Sequence, residues 1–404
     1  MADEAAGGPS RGLELRTDEQ WPFYAEDEIA AVADVLRSGK VNQWTGPDVT
    51  AFVAACERRF GGGRGLALAN GSLALEIVLR AYGVGPGDEV VVSPRSFMAS
   101  ASSASLVGAT PVFADVDADS GNITPNSIAR VLTDRTRAII PVHLAGWPAD
   151  IQGMMDLVDG RDVVVIEDCA QAHGAMIGGQ SVGSIGHAAA FSFCQDKIIS
   201  TGGEGGYVSF QDEAKWRWAW SFKDHGKDLD KATSGGGTPG MFRYVHDSIG
   251  TNWRLTGPQA AIGMAQLGKL DRWTDRRTRN ARIWIDALDG IPRLRVPLPD
   301  PHLRHAFYKL YFYIEGGSDD DAAEARATII GCAQAEGLRL FSGSCSEIYL
   351  EQAFADLPRP DCPVSRSLGA RSLMVEVHPT LQPDLLERRA ARLAEMLRAV
   401  LGGA

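Results

Sequence analysis

Four short apolar runs alternate with longer stretches of helix-like or glycine-rich sequence in the first half of the chain. Runs that are apolar along their whole length are typical of strands buried on both faces of a parallel sheet. The pattern therefore predicts an α/β fold with a large, mostly parallel sheet. The four runs are residues 88–93, 110–115, 137–142 and 162–168.

The second half of the chain has a different pattern. Apolar residues at three-residue steps from Ala260 to Leu270 predict the start of a long amphipathic helix that runs on through Trp273 and Trp284. After Leu298 the sequence predicts a mixture of strands and helices, which is typical of a smaller α+β domain. Its elements are a strand at 308–314, a helix at 321–336, a loop around Gly343 and a closing helix at 384–401.

Chain length agrees with two domains, because 404 residues exceed the size of one ordinary core. We expect a flexible N-terminal tail at 1–16, a large domain at 17–270 and a small C-terminal domain at 271–404. The polar, glycine-rich stretch 234–240 is a surface loop by composition, either a mobile flap or a plain insertion.

Composition weighs against several classes of function. The formal net charge is −11 and no run of Lys or Arg could follow a phosphate backbone, so nucleic acid is not an expected partner. No apolar run reaches the ~18 residues that span a bilayer, and residues 1–16 lack the apolar core of a signal peptide. Six scattered cysteines without metal-ligand spacing predict reduced thiols and no metal site. We therefore expect a cytoplasmic protein.

Three segments carry candidate chemistry. Asp168 ends a predicted parallel strand, where ligands bind in α/β proteins, and it could keep a ring nitrogen protonated, bind magnesium or bind a ribose. Lys197 follows an apolar strand and precedes a glycine-rich turn, so burial could free its amine for Schiff-base formation, although such lysines are often solvated. Gly71 and Ser72 open a predicted helix, as a phosphate site or an ordinary Ser N-cap.

Taken together, these segments resemble the sugar aminotransferases of the StrS/DegT family, which depend on pyridoxal 5′-phosphate (PLP) and have fold type I, like aspartate aminotransferase. The resemblance extends from about Trp44 to Leu270. The matching segments, in chain order, are Asn70–Ala74, Ser93–Phe97, Gly108–Asp117, Pro141–Gly146, Glu167–Gly174, Phe191–Lys197, Gly202–Gly206 and Asn252–Ala261.

The resemblance implies a role for each matching residue. Lys197 would attach the cofactor covalently and later transfer protons, and Asp168 would pair with the pyridine nitrogen. Phe97 would stack on the ring, and Gln171 would approach the ring hydroxyl. The remaining residues would bind the cofactor phosphate, and they are Gly71, Ser72, Ser192 and, from the other subunit of a homodimer, Asn252.

The resemblance also implies the reaction and its substrates. An amino acid, expected to be L-glutamate, leaves its nitrogen on the cofactor as pyridoxamine 5′-phosphate (PMP), which then passes the nitrogen to a ketone. We expect a dTDP-linked 4-keto-6-deoxyhexose aminated at carbon 4, in a deoxyaminosugar, antibiotic or surface-polysaccharide pathway. A 3-keto sugar nucleotide or a keto-cyclitol fits the same motifs. Some members carry His at the lysine position and act as dehydratases, so Lys197 favours transamination.

Two other classes of protein are alternatives. A nicotinamide dehydrogenase would need a Gly-x-Gly-x-x-Gly motif that opens a helix directly after the first strand, and the sequence lacks it. A PLP-binding regulator is the non-enzymatic alternative, although Lys197, Asp168 and Ser192 together argue for an enzyme.

Residues that contact the substrate are harder to assign. His225 lies where members often carry a basic or His-Gly element, and Lys223 and Arg243 could bind a diphosphate. His305 and His378 could correspond to recurrent family histidines, but a lone His is more often structural. The family's His-containing loop of the small domain has no His here, where residues 337–349 take its place.

Overall fold

The computed structural model describes residues 20–234 and 241–402. The predicted tail at 1–16 and all of the predicted 234–240 loop except Ser234 lie outside these residues. The helices are α1 (Glu26–Ser38), α2 (Asp48–Phe60), α3 (Gly71–Ala81), α4 (Met98–Leu106), α5 (Pro125–Ala129), α6 (Ile151–Leu157), α7 (Glu213–Phe222), α8 (Leu229–Thr233), α9 (Gly257–Leu267), α10 (Leu270–Leu288), α11 (Asp319–Ala335), α12 (Pro363–Arg371) and α13 (Pro383–Leu401). The strands are β1 (Arg64–Leu68), β2 (Glu89–Val92), β3 (Thr110–Phe113), β4 (Thr136–Ile140), β5 (Val164–Asp168), β6 (Met176–Ile177), β7 (Gln180–Ser181), β8 (Ala188–Ser192), β9 (Gly206–Phe210), β10 (Leu294–Arg295), β11 (Leu303–Arg304), β12 (Leu310–Ile314), β13 (Leu340–Phe341) and β14 (Ser372–Val375).

A large sheet organises the first half of the described chain. Its strand order is β1-β9-β8-β5-β4-β2-β3, and β9 is the member that runs antiparallel to its neighbours. The four predicted apolar runs are β2 to β5 of this sheet. The prediction of an α/β fold with a large, mostly parallel sheet is therefore confirmed.

Successive residues of the central strands enter different cores, which explains why these strands are apolar throughout. Val90 and Val92 of β2 pack in the core that contains α3 and α4, whereas Val91 packs on the opposite face with α6. Because side chains alternate across a strand, both faces of β2 need apolar residues. The carboxyl ends of β4, β5 and β8 consequently meet at one edge, between two layers of helices.

A smaller antiparallel sheet, in the order β10-β12-β14-β13, forms the second half with α10, α11 and α13. Its core is separate and includes Phe312 and Leu393. The predicted strand at 308–314 and the helices at 321–336 and 384–401 are β12, α11 and α13, with ends shifted by one or two residues. The boundary at 270/271 stays a prediction.

The long helix predicted from Ala260 through Trp284 is two helices, so that expectation was wrong in its continuity. α9 ends at Leu267, and α10 begins at Leu270. Gly268 at the break is a poor helix former. Lys269 turns its side chain toward α1, where its Nζ lies 2.7 Å from carboxylate oxygens of both Asp27 and Glu28.

Two backbone connections join the halves near the edge where β4 and β5 end. β11 pairs with β6, which follows β5 in the chain. Tyr308 N donates to Ala145 O at 2.8 Å, and Ala306 N donates to Gly146 O at 2.9 Å. Within 20–234 and 241–402, no helix is both long and apolar enough to cross a bilayer.

Candidate active site

Asp168 is buried at the carboxyl end of β5. Its Oδ2 accepts a hydrogen bond from Ser100 Oγ at 2.8 Å, and its Oδ1 accepts one from Ala170 N at 3.1 Å. Burial raises the pKa of this carboxyl above its ordinary value, although these two bonds and the charge of Lys197 act in the opposite direction. A cationic N–H brought to this carboxylate would relieve the cost of its burial.

Lys197 lies in the turn that follows β8. Its backbone is fixed at both ends, because Lys197 N donates to Cys194 O at 3.1 Å and Trp21 Nε1 donates to Lys197 O at 3.0 Å. Its side chain is 15% exposed, and Nζ lies 3.5 Å from Asp196 Oδ1. The amine is therefore mostly buried, as the sequence predicts, but it lies beside a carboxylate and not in wholly apolar surroundings.

An anion could bind where α3 begins, beside the end of β8. Asn70 is the N-cap, and its side chain accepts from Leu73 N at 3.0 Å, so the alternative of a Ser72 N-cap was wrong. The amides of Gly71 and Ser72 are in the first turn, where a helix leaves N–H groups free for a ligand. A Cβ on Gly71 would lie 2.5 Å from Ser192 Cβ, so these predicted phosphate contacts are adjacent.

Phe97 and Gln171 complete the predicted cofactor set. Phe97 precedes α4, and its side chain is 70% exposed, which leaves the ring free to stack on a ligand. Gln171 is buried, and its Oε1 accepts from Ala145 N at 2.7 Å. Because that bond fixes the amide, the NH₂ group of Gln171 has a defined direction in which to donate.

The donors and acceptors of these residues suit a flat, cationic heterocycle that carries an anionic group and a carbonyl. The buried carboxylate of Asp168 matches a ring N–H⁺, and the exposed Phe97 ring matches an aromatic face. Lys197 supplies an amine, and the start of α3 with Ser192 supplies neutral donors for an anion. The arrangement can therefore hold a carbonyl-bearing pyridinium and react with it.

His143 and Glu167 form a buried pair behind the site that the sequence reasoning missed. His143 Nδ1 accepts from Ala149 N at 2.9 Å, so its Nε2–H donates to Glu167 Oε2 at 3.1 Å. The Glu167 carboxylate also accepts backbone N–H bonds from Gly183, Ile185 and Gly186. Burial would raise the pKa of Glu167, but His143 and these amides hold it below its ordinary value. The pattern Glu167-Asp168 contained this signal, since two acidic residues in a buried strand need donors on opposite faces.

His143, Glu167 and Cys169 also lie close enough together to raise the question of a metal ion. The oxygens of Glu167 already accept four hydrogen bonds, and His143 uses both ring nitrogens. Burial raises the pKa of the Cys169 thiol well above its ordinary value, which disfavours the thiolate that metals bind. His143 and Glu167 are already satisfied by protein atoms and the Cys169 thiol is held protonated, so the cluster favours a structural role over metal binding.

Asn252 is exposed in a segment that runs beside β1. Ala69 N donates to Trp253 O at 3.0 Å, which places this segment next to the start of α3. No hydrogen bond within 20–234 and 241–402 joins the Asn252 side chain to Gly71, Ser72 or Ser192. Its contact with another subunit's phosphate stays a prediction.

The candidate substrate residues on the 223–243 segment have different surroundings. Lys223 is buried, its Nζ donates to Gln43 Oε1 at 2.8 Å, and burial lowers its pKa to about 8 despite the adjacent Asp224. His225 is exposed and has a φ of 63°. Arg243 is exposed, and its guanidinium donates to Lys231 O. The three side chains therefore do not converge on one point.

The two candidate histidines of the small domain are buried among protein groups. His305 Nδ1 accepts from Phe307 N at 2.8 Å, and burial lowers the pKa of His305 to about 3. His378 Nδ1 lies 2.8 Å from Thr380 Oγ1, and burial together with the charge of Arg277 lowers its pKa to about 2. Both are therefore neutral at physiological pH and have structural partners.

The loop that replaces the family's His-containing loop lies against the segment that precedes Phe97. Ile348 N donates to Pro94 O at 3.0 Å, and Ser96 pairs with Cys345 through a backbone bridge. Arg95 is fully buried and donates to Ser346 Oγ. Residues 344–348 are therefore fixed beside the predicted stacking residue.

A cavity of about 760 Å³ beside β3 contains none of the predicted site residues, so size alone does not locate the site.

A model of the DegT/DnrJ/EryC1/StrS aminotransferase family matches residues 22–394. A UDP-N-acetyl-3-dehydro-α-D-glucosamine 3-aminotransferase of Acidithiobacillus ferrooxidans is 36% identical over 345 residues, which cover 84% of this chain and 85% of the relative. A protein named pleiotropic regulatory protein, from Geobacillus stearothermophilus, is 38% identical over 389 residues, 95% of this chain and 98% of the relative. A 3-amino-5-hydroxybenzoate synthase of Amycolatopsis mediterranei is 33% identical over 348 residues, 84% of each chain.

Solved structures have the same fold. An aminotransferase from Psychrobacter cryohalolentis has a TM-score of 0.89 and 44% sequence identity, with 95% of this chain and 99% of that chain covered.

Proposed function

Because the chain belongs to the DegT/DnrJ/EryC1/StrS aminotransferase family, and is thus a PLP-dependent aminotransferase, we propose that it aminates the ketone of a nucleotide-linked sugar with glutamate as donor. The observation that carries this proposal is that Asp168 ends β5 and Lys197 lies in the turn after the neighbouring strand β8, with the Phe97 ring exposed at the start of α4.

PLP fits these residues by its chemistry. When bound, its pyridinium ring withdraws electrons from the carbon that loses or gains a proton. Asp168 would keep the ring nitrogen protonated, and Phe97 would cover one face of the ring. Gly71, Ser72 and Ser192 would bind the phosphate through neutral donors, and Gln171 would donate to the ring hydroxyl. Lys197 would hold the cofactor and carry a proton at its Nζ.

The nucleotide-sugar acceptor has two candidate carbons. The relative from A. ferrooxidans is named for amination at carbon 3, and this supports a 3-keto sugar nucleotide as the first substrate to test. The dTDP-4-keto-6-deoxyhexose, which was the first expectation from the sequence, becomes the second candidate. The synthase from A. mediterranei is named for a product without a nucleotide, and a cyclic ketone without a nucleotide, such as a keto-cyclitol, is therefore the third candidate.

A regulatory role is the alternative that the protein from G. stearothermophilus raises by its name. Lys197 with Asp168 argues for catalysis, since binding PLP without chemistry needs neither a proton-carrying amine nor a charged partner for the ring nitrogen. We further propose that the protein works as a homodimer in the cytoplasm.

The deciding experiment supplies purified PLP-loaded protein and glutamate with nucleotide-linked 3-keto and 4-keto sugars and with a keto-cyclitol. The expected product is the amino sugar nucleotide, whose aminated carbon is identified by mass spectrometry and NMR. Lys197→Ala is the matched control, and it should give no product. If none of the ketones is aminated although glutamate still lowers the absorbance of bound PLP, the proposed acceptor class is contradicted.

A further inference from the structure

Two side chains surround the amine of Lys197, and the family motifs assign a role to neither. Asp196 Oδ1 lies 3.5 Å from Lys197 Nζ, and Asp196 Oδ2 accepts a hydrogen bond from the Tyr308 hydroxyl. The Tyr308 ring lies beneath the same amine, with 5.0 Å between Nζ and the ring centroid. Lys197 Nζ therefore faces a carboxylate oxygen and an aromatic face at once.

Tyr308 is held firmly at this place by the chain that carries it. It is 7% exposed and packs in the core that also contains Ile198 and Phe193. Its N donates to Ala145 O at 2.8 Å, and its O accepts from Arg277 Nη1 at 3.2 Å. The hydroxyl can therefore act as a fixed point for the half-exposed Asp196 side chain.

The other cations near Asp196 have partners of their own. Lys309 Nζ lies 3.3 Å from Glu376 Oε1, and Arg277 donates to the carbonyls of Phe307 and Tyr308. Burial would raise the pKa of Asp196, but Lys197, the Tyr308 hydroxyl and Lys309 together hold it below its ordinary value. Asp196 is therefore an anion at neutral pH, and Lys197 is the cation closest to its free oxygen.

In the proposed transamination the amine of Lys197 would be released from the cofactor in each half-reaction, and an anion beside it would keep it close enough to move a proton. We propose that Asp196, oriented by Tyr308, is a positioning residue that binds the Lys197 ammonium whenever this lysine is not linked to the cofactor. This inference rests on the proposed function, and it involves no bond change at Asp196, only the holding of a proton on Lys197 Nζ.

The test is made on PLP-loaded protein with Asp196→Asn, which is nearly isosteric and removes the charge. We expect the midpoint of the pH-dependent absorbance change of the bound cofactor to fall by about one pH unit, because an anion near the linked nitrogen favours its protonated form. We also expect the rate constant of the half-reaction at saturating glutamate to fall about tenfold at an unchanged apparent Kd for glutamate, since the loss concerns proton transfer rather than donor binding. A purely structural role would not move the absorbance midpoint.

Tyr308→Phe removes only the hydroxyl, and Tyr24→Phe is its matched control because the Tyr24 hydroxyl contacts Ser200 nearby at 3.0 Å. Tyr308→Phe should shift the midpoint in the same direction by a smaller amount, and should add nothing to Asp196→Asn in the double variant. Tyr24→Phe should leave it unchanged. If Asp196→Asn does not fold, the comparison of Tyr308→Phe with Tyr24→Phe decides the matter.

An unchanged midpoint in both Asp196→Asn and Tyr308→Phe would overturn the proposal, and additive shifts would overturn the role of Tyr308. The measurement uses only the cofactor absorbance and the glutamate half-reaction. It therefore remains valid if every keto sugar fails as acceptor, which would contradict the proposed function alone.

Discussion

Lys197 is the residue on which the proposed chemistry depends most directly. We expect borohydride reduction of the yellow, PLP-loaded protein to attach the cofactor permanently to Lys197, because its amine follows β8 and faces the site. Lys197→Ala should abolish the trapped adduct. Lys309→Ala is the matched control, since Lys309 Nζ lies 5.3 Å from the centroid of the same Tyr308 ring. Peptide mapping by mass spectrometry gives the answer, and an adduct on another lysine would refute the assignment.

Asp168 should matter for turnover more than for cofactor affinity. An amide cannot keep the ring nitrogen protonated as charge develops, so we expect Asp168→Asn to lower kcat by at least ~100-fold with a much smaller change in the Kd of PLP. Phe97→Ala is the contrasting variant, because it removes a stacking surface and no charge, and it should weaken PLP retention. Steady-state kinetics and PLP titration measure both effects. Wild-type turnover in Asp168→Asn would mean that the carboxylate has another role.

At the scale of single residues, the sequence predicts features that depend on nearby positions in the chain. It does not predict contacts between segments that are far apart in the chain. The positions of Asp168 and Lys197 were predictable because Asp168 ends β5 and Lys197 lies in the turn after the neighbouring strand β8, and strand ends meet at one edge of a parallel sheet. Tyr308 was not, since its contact with Asp196 joins segments 112 residues apart. Asp196 could have been noticed as the acidic neighbour of Lys197, but nothing in the sequence shows that its side chain turns toward the amine.

At the scale of elements, apolar runs predicted β2 to β5 because burial on both faces leaves no polar positions in such strands. The break between α9 and α10 was missed because apolar spacing continues across Gly268. Lys269 there forms ion pairs with α1, and these contacts depend on tertiary structure and leave no signal in the local sequence. The sequence located the loop at 337–349 that takes the place of the family's His-containing loop, but it did not show that residues 344–348 pack against Pro94–Ser96.

The turn after β5 contains a histidine whose burial should affect stability. His173 is fully buried beside Phe191 and Phe193, and desolvation together with the charges of Lys197 and Arg277 lowers its pKa to about 3. An unfolded His titrates near ~6.5, so the unfolded state takes up the proton first as pH falls. The stabilisation is therefore complete above about pH 6.5 and is lost as pH falls toward 3.

We expect His173→Phe to flatten this dependence. As pH falls from 6 to 4, the free energy of unfolding of the variant should fall less steeply than that of the wild type. The two slopes should differ by about 1.4 kcal/mol per pH unit, because the variant takes up one proton fewer on unfolding. Urea unfolding at several pH values measures the slope. His302→Phe, at an exposed position, should keep the wild-type slope. Equal slopes for both variants would show that His173 is not neutral in the folded protein.

At the scale of the whole molecule, one predicted phosphate ligand stands apart from the others. Within 20–234 and 241–402, the Asn252 side chain forms no hydrogen bond with Gly71, Ser72 or Ser192. Asn252 is exposed beside the start of α3, and the nearby segment exposes Phe242, Tyr244 and Ile249 by 76%, 88% and 93%. A second copy of the chain would cover such a surface and bring Asn252 to the neighbouring cofactor, in a closed pair with two equivalent sites. The proposed homodimer with shared sites thus makes a quantitative prediction.

The prediction concerns dimers that combine a Lys197→Ala subunit with an Asn252→Ala subunit. If Asn252 acts on the neighbour's site, one site of each mixed dimer carries both substitutions and the other carries neither. Activity should then reappear from two impaired proteins. Mixed dimers isolated through two different tags should have about half of the wild-type activity, and random exchange without isolation should give about a quarter, because about half of the dimers are mixed. Activity equal to the average of the two parents would mean that Asn252 acts within its own chain, because each site would then carry one substitution.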